Sequence, residues 1–406
     1  MTSKAGAHIV ARTNFHADRP NQQVIGDISL SLTLRRGVEA THSDLKAGAI
    51  LLRLFLHSIL PRLFAPDQPR AASCLHYKPR GIRMIEARTT LILGAGASCG
   101  YDLPLGADLV HLIAEEAARQ SEDEDADGAT AFAADQLRAA LDREDPLSID
   151  AFLWRHQEKR EMVNFARKLI TQVILAHQRA DRFERVQGGK KNWYRFLWDA
   201  IVDGLTPEEL ASNDTDLNIN IVTFNYDVSL EFYLYSLVTA PHSMFSRDQA
   251  ERFLQKLGKS IHHVYGSVLH YQWLGGADGN HIYELKDQEI QQTVRKNWQQ
   301  IRLIDARSNH DYSSARDAIQ TADQVLILGF GFDETNIGPR VLDLRNTLHR
   351  DISTPGVVVK YTNSDSAPLI DRRIESLTQN RNVSLMYSYC RIFDALSREF
   401  SISSLT

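Results

Sequence analysis

Cysteine is scarce in this sequence: only Cys74, Cys99 and Cys390 occur among 406 residues, and there is no Cys-x-x-Cys pair. This pattern excludes a disulfide framework and a zinc site built from paired cysteines, and it is typical of a reducing compartment. No long basic run is present either, so the charge pattern predicts no nucleic-acid partner. We therefore expect a cytoplasmic protein without a bound metal.

Long apolar runs are also missing. The most apolar stretch, residues 47–63, is interrupted by Arg53, His57 and Pro61, whereas a membrane-spanning helix needs about 20 mostly uninterrupted apolar residues. We expect no membrane anchor. The remaining composition, with 43% hydrophobic and 24% charged residues, is that of ordinary globular proteins.

Charge is divided unevenly along the chain. Residues 1–83 carry 12 Lys and Arg against 5 Asp and Glu, whereas residues 84–406 carry 34 against 46. Met84 directly precedes the first segment that is typical of a buried strand. We predict that translation naturally starts at Met84, that residues 1–83 are a non-native or disordered extension, and that residues 84–406 form the functional domain. The alternative is a genuine basic tail or targeting arm.

Short apolar runs predict the strands of a sheet, at residues 89–93, 217–224, 261–265, 324–328, 356–361 and 383–387. Between the first two runs, over about residues 105–210, apolar residues recur at the three-to-four spacing of helices. Mostly apolar strands flanked by helices are typical of a parallel sheet that is buried on both faces. The sequence therefore predicts an α/β protein with a large helical insertion after the first strand.

Four of the predicted strands end in polar or glycine-rich turns. In an open parallel sheet, ligands bind at the carboxyl ends of the strands, so we expect these turns to form one site. The four turns are Gly94–Ser98, Thr223–Asp227, Val264–Ser267 and Gly329–Asn336.

The first turn, G-A-G-A-S-C-G at residues 94–100, is one residue longer than the common dinucleotide fingerprint. Glycine lets backbone N–H groups approach a pyrophosphate at a helix N-terminus, and the strand before and helix after the turn favour phosphate binding. The alternative is a plain turn whose small residues serve packing. No acidic residue ends a second strand about 20 residues later, so the adenosine end must be held differently from that in a Rossmann dehydrogenase.

The turn T-F-N-Y-D at residues 223–227 places polar residues in alternation, so that Thr223, Asn225 and Asp227 point the same way in extended geometry. An amide beside a carboxylate can hold a carboxamide and a ribose hydroxyl, or orient a water molecule. The alternative is that Asn225 and Asp227 only cap the next helix. For Gly329 and Gly331, approach to a ligand and a tight turn capped by Asp333 stay equally open.

Taken together, these motifs resemble the SIR2-like, sirtuin-related family, and in particular its bacterial NAD-consuming defence branch. The resemblance spans about residues 85–365 and implies a six-stranded Rossmann-like sheet with NAD lying across the strand ends. It is carried by G-A-G-A-S at 94–98 with Gly100 and Pro104 behind it, S-I-D-A-F-L at 148–153, T-F-N-Y-D at 223–227, V-Y-G-S at 264–267 and L-G-F-G-F-D at 328–333.

The resemblance also implies a role for individual residues. Asn225 and Asp227 hold the nicotinamide and its ribose, and Asn363 contacts the adenosine ribose. The further residues that face the phosphates, the ribose or the adenosine half of NAD are Gly94, Ala95, Gly96, Ser98, Thr223, Gly329 and Gly331.

Two departures from the family pattern bear on activity. The zinc module of the family needs four cysteines in two pairs, so a deacylase that uses that module is not expected. The catalytic histidine of the family stands where this chain has Tyr265, and a neutral phenol with a pKa of about 10 is a poor general base near pH 7. His263 projects to the same face as Tyr265 in a regular strand and would supply the imidazole. The alternative is a half-buried strand histidine.

Two functions follow from the resemblance. The first is an NAD glycohydrolase, acting as an antiphage or stress effector, in which Asp227 stabilises charge on the ribose, Asn225 holds the carboxamide, and Tyr265 or His263 contacts the ribose hydroxyls or relays a proton. The second is a catalytically impaired module that binds or senses NAD or ADP-ribose. A dehydrogenase is disfavoured by the missing ribose carboxylate. The expected partners are NAD, further copies of the chain and a separate trigger-sensing protein.

Overall fold

A computed structural model divides the chain into two units, Met1–Tyr77 and Lys78–Thr406. In the first unit, strands β1 (His8–Thr13) and β2 (Ile28–Thr33) pair in antiparallel fashion. The residues that the structure describes are 8–13, 28–33, 85–122, 127–183, 192–271, 283–302, 311–351, 353–379 and 382–400. Met84 and most of residues 1–83 lie outside these ranges, so the predictions about the start of translation and the N-terminal extension stay predictions.

The second unit is organised around a sheet of six parallel strands in the order β5-β4-β3-β6-β7-β8. Counted from its own first strand, the sheet has the order 3-2-1-4-5-6, which is that of the Rossmann fold. The predicted α/β class with a Rossmann-like parallel sheet is thus confirmed. The strands are β3 (Thr89–Leu93), β4 (Ile219–Thr223), β5 (Ile261–His263), β6 (Gln324–Leu328), β7 (Val357–Thr362) and β8 (Val383–Ser388).

The central strands read as continuous apolar runs because both faces of the sheet are covered. Every residue of β3 and of β6 is buried. Ile92 and Ile327 belong to the core on one face, whereas Leu91 and Leu326 belong to the core on the other.

The predicted helical insertion separates β3 from β4 and covers both faces of the sheet. Its first four helices pack into the core that contains Ile92, and its last two pack into the core that contains Leu91. Within residues 148–178 the chain forms two helices, α3 and α4. The insertion consists of α1 (Gly106–Ser121), α2 (Gly128–Glu144), α3 (Ile149–Arg155), α4 (Arg160–His177), α5 (Trp193–Val202) and α6 (Pro207–Ala211).

The later helices alternate with the remaining strands, as connections between parallel strands require. Of the helices that the structure describes, none combines the length and apolar character needed to cross a bilayer. The later helices are α7 (Ser229–Thr239), α8 (Arg247–Gly258), α9 (Asp287–Asn297), α10 (Ser313–Gln320), α11 (Glu334–Ile337), α12 (Leu344–Thr347), α13 (Pro368–Thr378) and α14 (Ile392–Asp394).

The strand order reverses between β3 and β6, and there the turns that follow the two strands lie directly against each other. Gly96 N donates to Gly329 O at 2.9 Å. Gly329 adopts a positive φ of 58°, and a Cβ atom at that position would lie 2.3 Å from Ala97 N. The sequence thus needs glycine here because the backbones of the two turns meet at this position.

We expect Gly329→Ala to lower the free energy of unfolding by more than about 2 kcal/mol, since it adds left-handed strain and a backbone clash. Gly331→Ala is the matched control, because a Cβ atom there has no neighbour within 4 Å, and it should change stability by less than about 0.5 kcal/mol. Urea unfolding followed by circular dichroism measures both. Equal stability of the two variants would contradict this account.

Candidate functional site

Three of the predicted site residues are joined in one hydrogen-bonded chain at the carboxyl ends of β3 and β4. Asn225 Nδ2 donates to Ser98 Oγ at 2.6 Å, and Ser98 Oγ donates to Asp227 Oδ2 at 2.9 Å. Because Ser98 follows β3 whereas Asn225 and Asp227 follow β4, the chain ties two strand-end turns together. The alternation in T-F-N-Y-D therefore does bring Asn225 and Asp227 to a common neighbour.

Asp227 is a buried carboxylate with several donors around it. Its relative exposure is 7%, and it also accepts hydrogen bonds from the amide and hydroxyl of Ser229. Burial raises its pKa, and the charge of Glu231 raises it further, while the bonds from Ser229 and Ser98 act in the opposite direction. The three hydrogen bonds thus favour the charged form of this carboxyl, whereas burial favours the neutral form. Asp227 thereby contacts Ser229, the first residue of α7, although the cap position itself is Val228, which provides no side-chain hydrogen bond to the helix.

Asn225 lies at one end of this series of hydrogen bonds, and its side chain keeps one unused acceptor. Its side-chain nitrogen donates to Ser98, and its backbone N–H donates to Thr223 Oγ1 at 3.1 Å. Asn225 Oδ1 is buried and has no hydrogen-bond partner among the residues that the structure describes. An unpaired buried acceptor costs about 1–3 kcal/mol, so this oxygen is the atom of the cluster best suited to receive a donor from a ligand. Thr223 accepts the backbone hydrogen bond from Asn225 and so stabilises the turn after β4.

His263, the last residue of β5, has a hydrogen-bond partner at each of its two ring nitrogens. Nδ1 lies 3.1 Å from the backbone oxygen of Asn225, and Nε2 lies 2.5 Å from Glu231 Oε1. The side chains of His263 and Glu231 are 12% and 3% exposed. Burial lowers the pKa of His263, but the charge and hydrogen bond of Glu231 outweigh it, with smaller contributions from Asn225 and Asp227, so the net direction is upward.

Tyr265 does not share a face with His263, so that expectation is wrong. β5 ends at His263, and the chain turns before Tyr265. The Tyr265 ring packs edge-on against Phe224 at 5.4 Å on the opposite face of the sheet, and its hydroxyl donates to Asn336 Oδ1. Tyr265 is 1% exposed, and burial raises its pKa well above the usual value near 10. A buried, neutral, hydrogen-bonded phenol cannot act as a general base near pH 7.

The glycine-rich turn uses several of its amides within the protein. Gly94 N donates to Leu328 O at 3.1 Å, and Ser98 N donates to Ala95 O at 3.1 Å. Gly96 N is likewise taken by the carbonyl of Gly329. In this conformation these amides are committed to backbone carbonyls. Packing, the alternative that the sequence left open, therefore accounts for Gly94, Gly96 and Gly329 without a ligand.

Two further predicted residues differ in their surroundings. Gly331 is exposed with open space around it. Asn363 is 2% exposed and is fully engaged: Nδ2 donates to Ala367 O at 3.0 Å and to Asp371 Oδ1 at 2.9 Å, and Oδ1 accepts from Ala367 N. These bonds make Asn363 an organiser of the turn before α13 and engage both polar atoms of its side chain, so its contact with a ribose stays a prediction.

A second polar cluster was not anticipated from the sequence. Tyr226 OH donates to Asp150 Oδ1, so the helical insertion reaches the turn after β4. Burial raises the pKa of Asp150 to about 6, the bond from Tyr226 lowers it, and the charge of Asp333 raises it. The only advance signal was the segment 148–153, which the family resemblance singled out without giving Asp150 a role.

The predicted turn at residues 264–267 borders a cavity of about 250 Å³. His262, Arg302 and Tyr312 are among the residues that line it. The volume falls below the range of about 300–1,000 Å³ that is typical of ligand pockets, so this cavity alone is too small for a dinucleotide. Within the described ranges, no group of three or more His, Cys, Asp or Glu is arranged to hold a metal ion.

Asp150 provides a test of the second cluster by pH. Because its pKa is about 6 in the folded protein and about 3.9 in the unfolded chain, Asp150 lowers the free energy of unfolding as pH rises from about 4 to 7. Asp150→Asn removes this ionisation. Between these pH values we therefore expect the free energy of unfolding of Asp150→Asn to rise by on the order of 2 kcal/mol relative to that of the parent protein.

The control for this test is Asp142→Asn, which alters an exposed carboxylate on α2. Chemical unfolding of all three proteins at both pH values gives the comparison. A gain in Asp142→Asn equal to that in Asp150→Asn would show that the effect does not come from the buried carboxyl.

A scan of the sequence against protein-family models and a search among curated proteins returned no match.

Proposed function

We propose that this chain binds NAD at the carboxyl ends of its parallel strands and hydrolyses the bond between nicotinamide and ribose. The observation that carries the proposal is the buried, unpaired Oδ1 of Asn225, two residues from the buried carboxylate of Asp227. An amide oxygen of this kind suits the N–H groups of a carboxamide, and a nearby anion suits a positively charged nicotinamide ribose. The strand order supports this location, since Rossmann-like sheets bind ligands at this edge.

The reaction needs electrostatic placement more than proton transfer. When the C–N bond breaks, its electron pair leaves with nicotinamide, and positive charge develops on the ribose. Asp227 would stabilise that charge from a buried position, where electrostatic interactions are stronger than in water. Water then adds to the ribose carbon and releases one proton to solvent. Asn225 would hold the carboxamide and keep the bond aligned for cleavage.

The second candidate function is binding of NAD or ADP-ribose without cleavage. It is favoured by the surroundings of Tyr265 and His263, because the Tyr265 hydroxyl donates to Asn336 and both ring nitrogens of His263 face acceptors. Neither group offers a free base for activating water. We rank cleavage first, since an oxocarbenium-like species reacts with water readily once it forms.

A place in the cytoplasm, a role in antiphage or stress defence, assembly with further copies of the chain, and control by a separate trigger-sensing protein remain parts of the same proposal. The cytoplasmic location is proposed from the scarcity of cysteine, and the other three are proposed from the motif resemblance.

Asn225→Ala should reduce nicotinamide release from NAD by about 100-fold or more, which is the usual cost of losing an oriented polar group at a reacting centre. Asp227→Asn should reduce it by at least as much, since it removes the buried charge. Chromatography of the products from purified protein incubated with NAD gives both rates.

The matched control is Asn346→Ala, which removes an exposed asparagine on α12 and should leave the rate unchanged. Binding of NAD by the parent protein in calorimetry, with no release above that of Asn225→Ala, would overturn cleavage and favour the binding module. Absence of both binding and release in the parent protein would overturn the proposal as a whole.

A further inference from the structure

We infer that Glu231 and His263 form a positioning pair, a buried ion pair that holds the backbone of Asn225 and so aims its Oδ1 at the ligand. This inference deepens the proposed function and rests on it. It gives His263 a role other than that of a base, and it brings in Glu231, which the motif analysis did not single out.

The first step of the argument concerns the protonation of His263. A neutral imidazole has one donor and one acceptor nitrogen, whereas an imidazolium has two donors. Both partners of the ring are acceptors: the carbonyl oxygen of Asn225 at 3.1 Å and the Glu231 carboxylate at 2.5 Å. With Glu231 ionised, only the imidazolium satisfies both contacts at once. We therefore assign the pair as a positively charged histidine against a buried carboxylate.

The second step concerns Asn225, which is held from two sides. Its side-chain nitrogen is fixed through Ser98 to Asp227, and its backbone oxygen is fixed through His263 to Glu231. Each chain of hydrogen bonds ends on a buried carboxylate. With both sides fixed, the one remaining side-chain atom, Oδ1, has a set direction, and preorganised direction is what makes such a group effective.

The third step excludes direct chemistry by His263. Neither ring nitrogen is left to contact a substrate, so the histidine acts through Asn225. The titratable groups that face His263 are Glu231 from α7, Asp227 from the preceding turn and His262 from its own strand. Tyr271 and Tyr283 in turn lie within electrostatic range of Glu231. The two carboxyl groups of Asp227 and Glu231 outnumber the protonated His263, which suits the positively charged nicotinamide end of NAD.

The pair carries a defined dependence on pH. Because folding raises the pKa of His263 above its unfolded value of about 6.5, its contribution to stability is complete below that value and is lost as pH rises through the folded pKa. The orientation of Asn225 should be lost over the same interval. Glu231→Gln should move both losses to lower pH, because it removes the anion that stabilises the protonated His263.

The test combines two measurements on the full chain. Ring nitrogen and proton NMR of the free protein should show His263 with both nitrogens protonated at pH 7. In steady-state kinetics with NAD, Glu231→Gln should lower kcat by about tenfold, with KM changed less than about twofold, and should shift the basic limb of the pH profile to lower pH. The control is Asp351→Asn, which removes the carboxylate 3.8 Å from the exposed His349. It should change neither kcat nor the pH profile.

The outcomes separate this inference from the proposed function. If the parent protein releases no nicotinamide, the proposed function fails, while the side-chain amide resonances of Asn225 still test the pair: they should be sharp in the parent protein and broadened in Glu231→Gln. A neutral His263 at pH 7 would overturn the inference. So would a Glu231→Gln protein that folds and keeps both the parent pH profile and the parent Asn225 resonances.

Discussion

One hydroxyl group, Oγ of Ser98, connects the two turns on which the site depends. It accepts from Asn225 and donates to Asp227, so it sets the direction of the whole chain of hydrogen bonds. Buried polar groups of this kind are stable only when nearly every donor and acceptor is paired. In this series of hydrogen bonds, and among the residues that the structure describes, the buried acceptor left unpaired is Asn225 Oδ1. That single exception, at the edge where Rossmann-like sheets bind their ligands, is the basis of the functional proposal.

Much of the fold was predictable because local pattern and tertiary environment agree. The apolar runs of β3 and β6 predicted both strands with their exact bounds, since both are buried on two faces. The polar alternation after β4 predicted that Asn225 and Asp227 would converge. The position of Tyr265 was not predictable in this way, because strand periodicity applies only as far as the strand continues, and β5 ends at His263.

Other features of the site depend on contacts between residues far apart in the chain. The bond between Asp150 and Tyr226 joins the helical insertion to the turn after β4, and no local pattern contains it. The engagement of Asn363 with Asp371 likewise depends on where α13 begins. The glycines of the first turn were predicted as close-approach positions, and the approach observed is between the turns after β3 and β6. Sequence motifs thus located the edge of the sheet where the site lies, while long-range packing decides which side chains remain available there.

The central claim is that Asn225 Oδ1 receives a donor from the nicotinamide end of NAD. A crystal structure of the protein soaked with NAD, or with a non-hydrolysable analogue, measures this directly. The account predicts the carboxamide nitrogen at hydrogen-bond distance, about 3 Å, from Asn225 Oδ1, with the nicotinamide ribose beside Asp227. A dinucleotide that lies elsewhere on the chain, or a carboxamide that leaves Oδ1 unpaired, would contradict it.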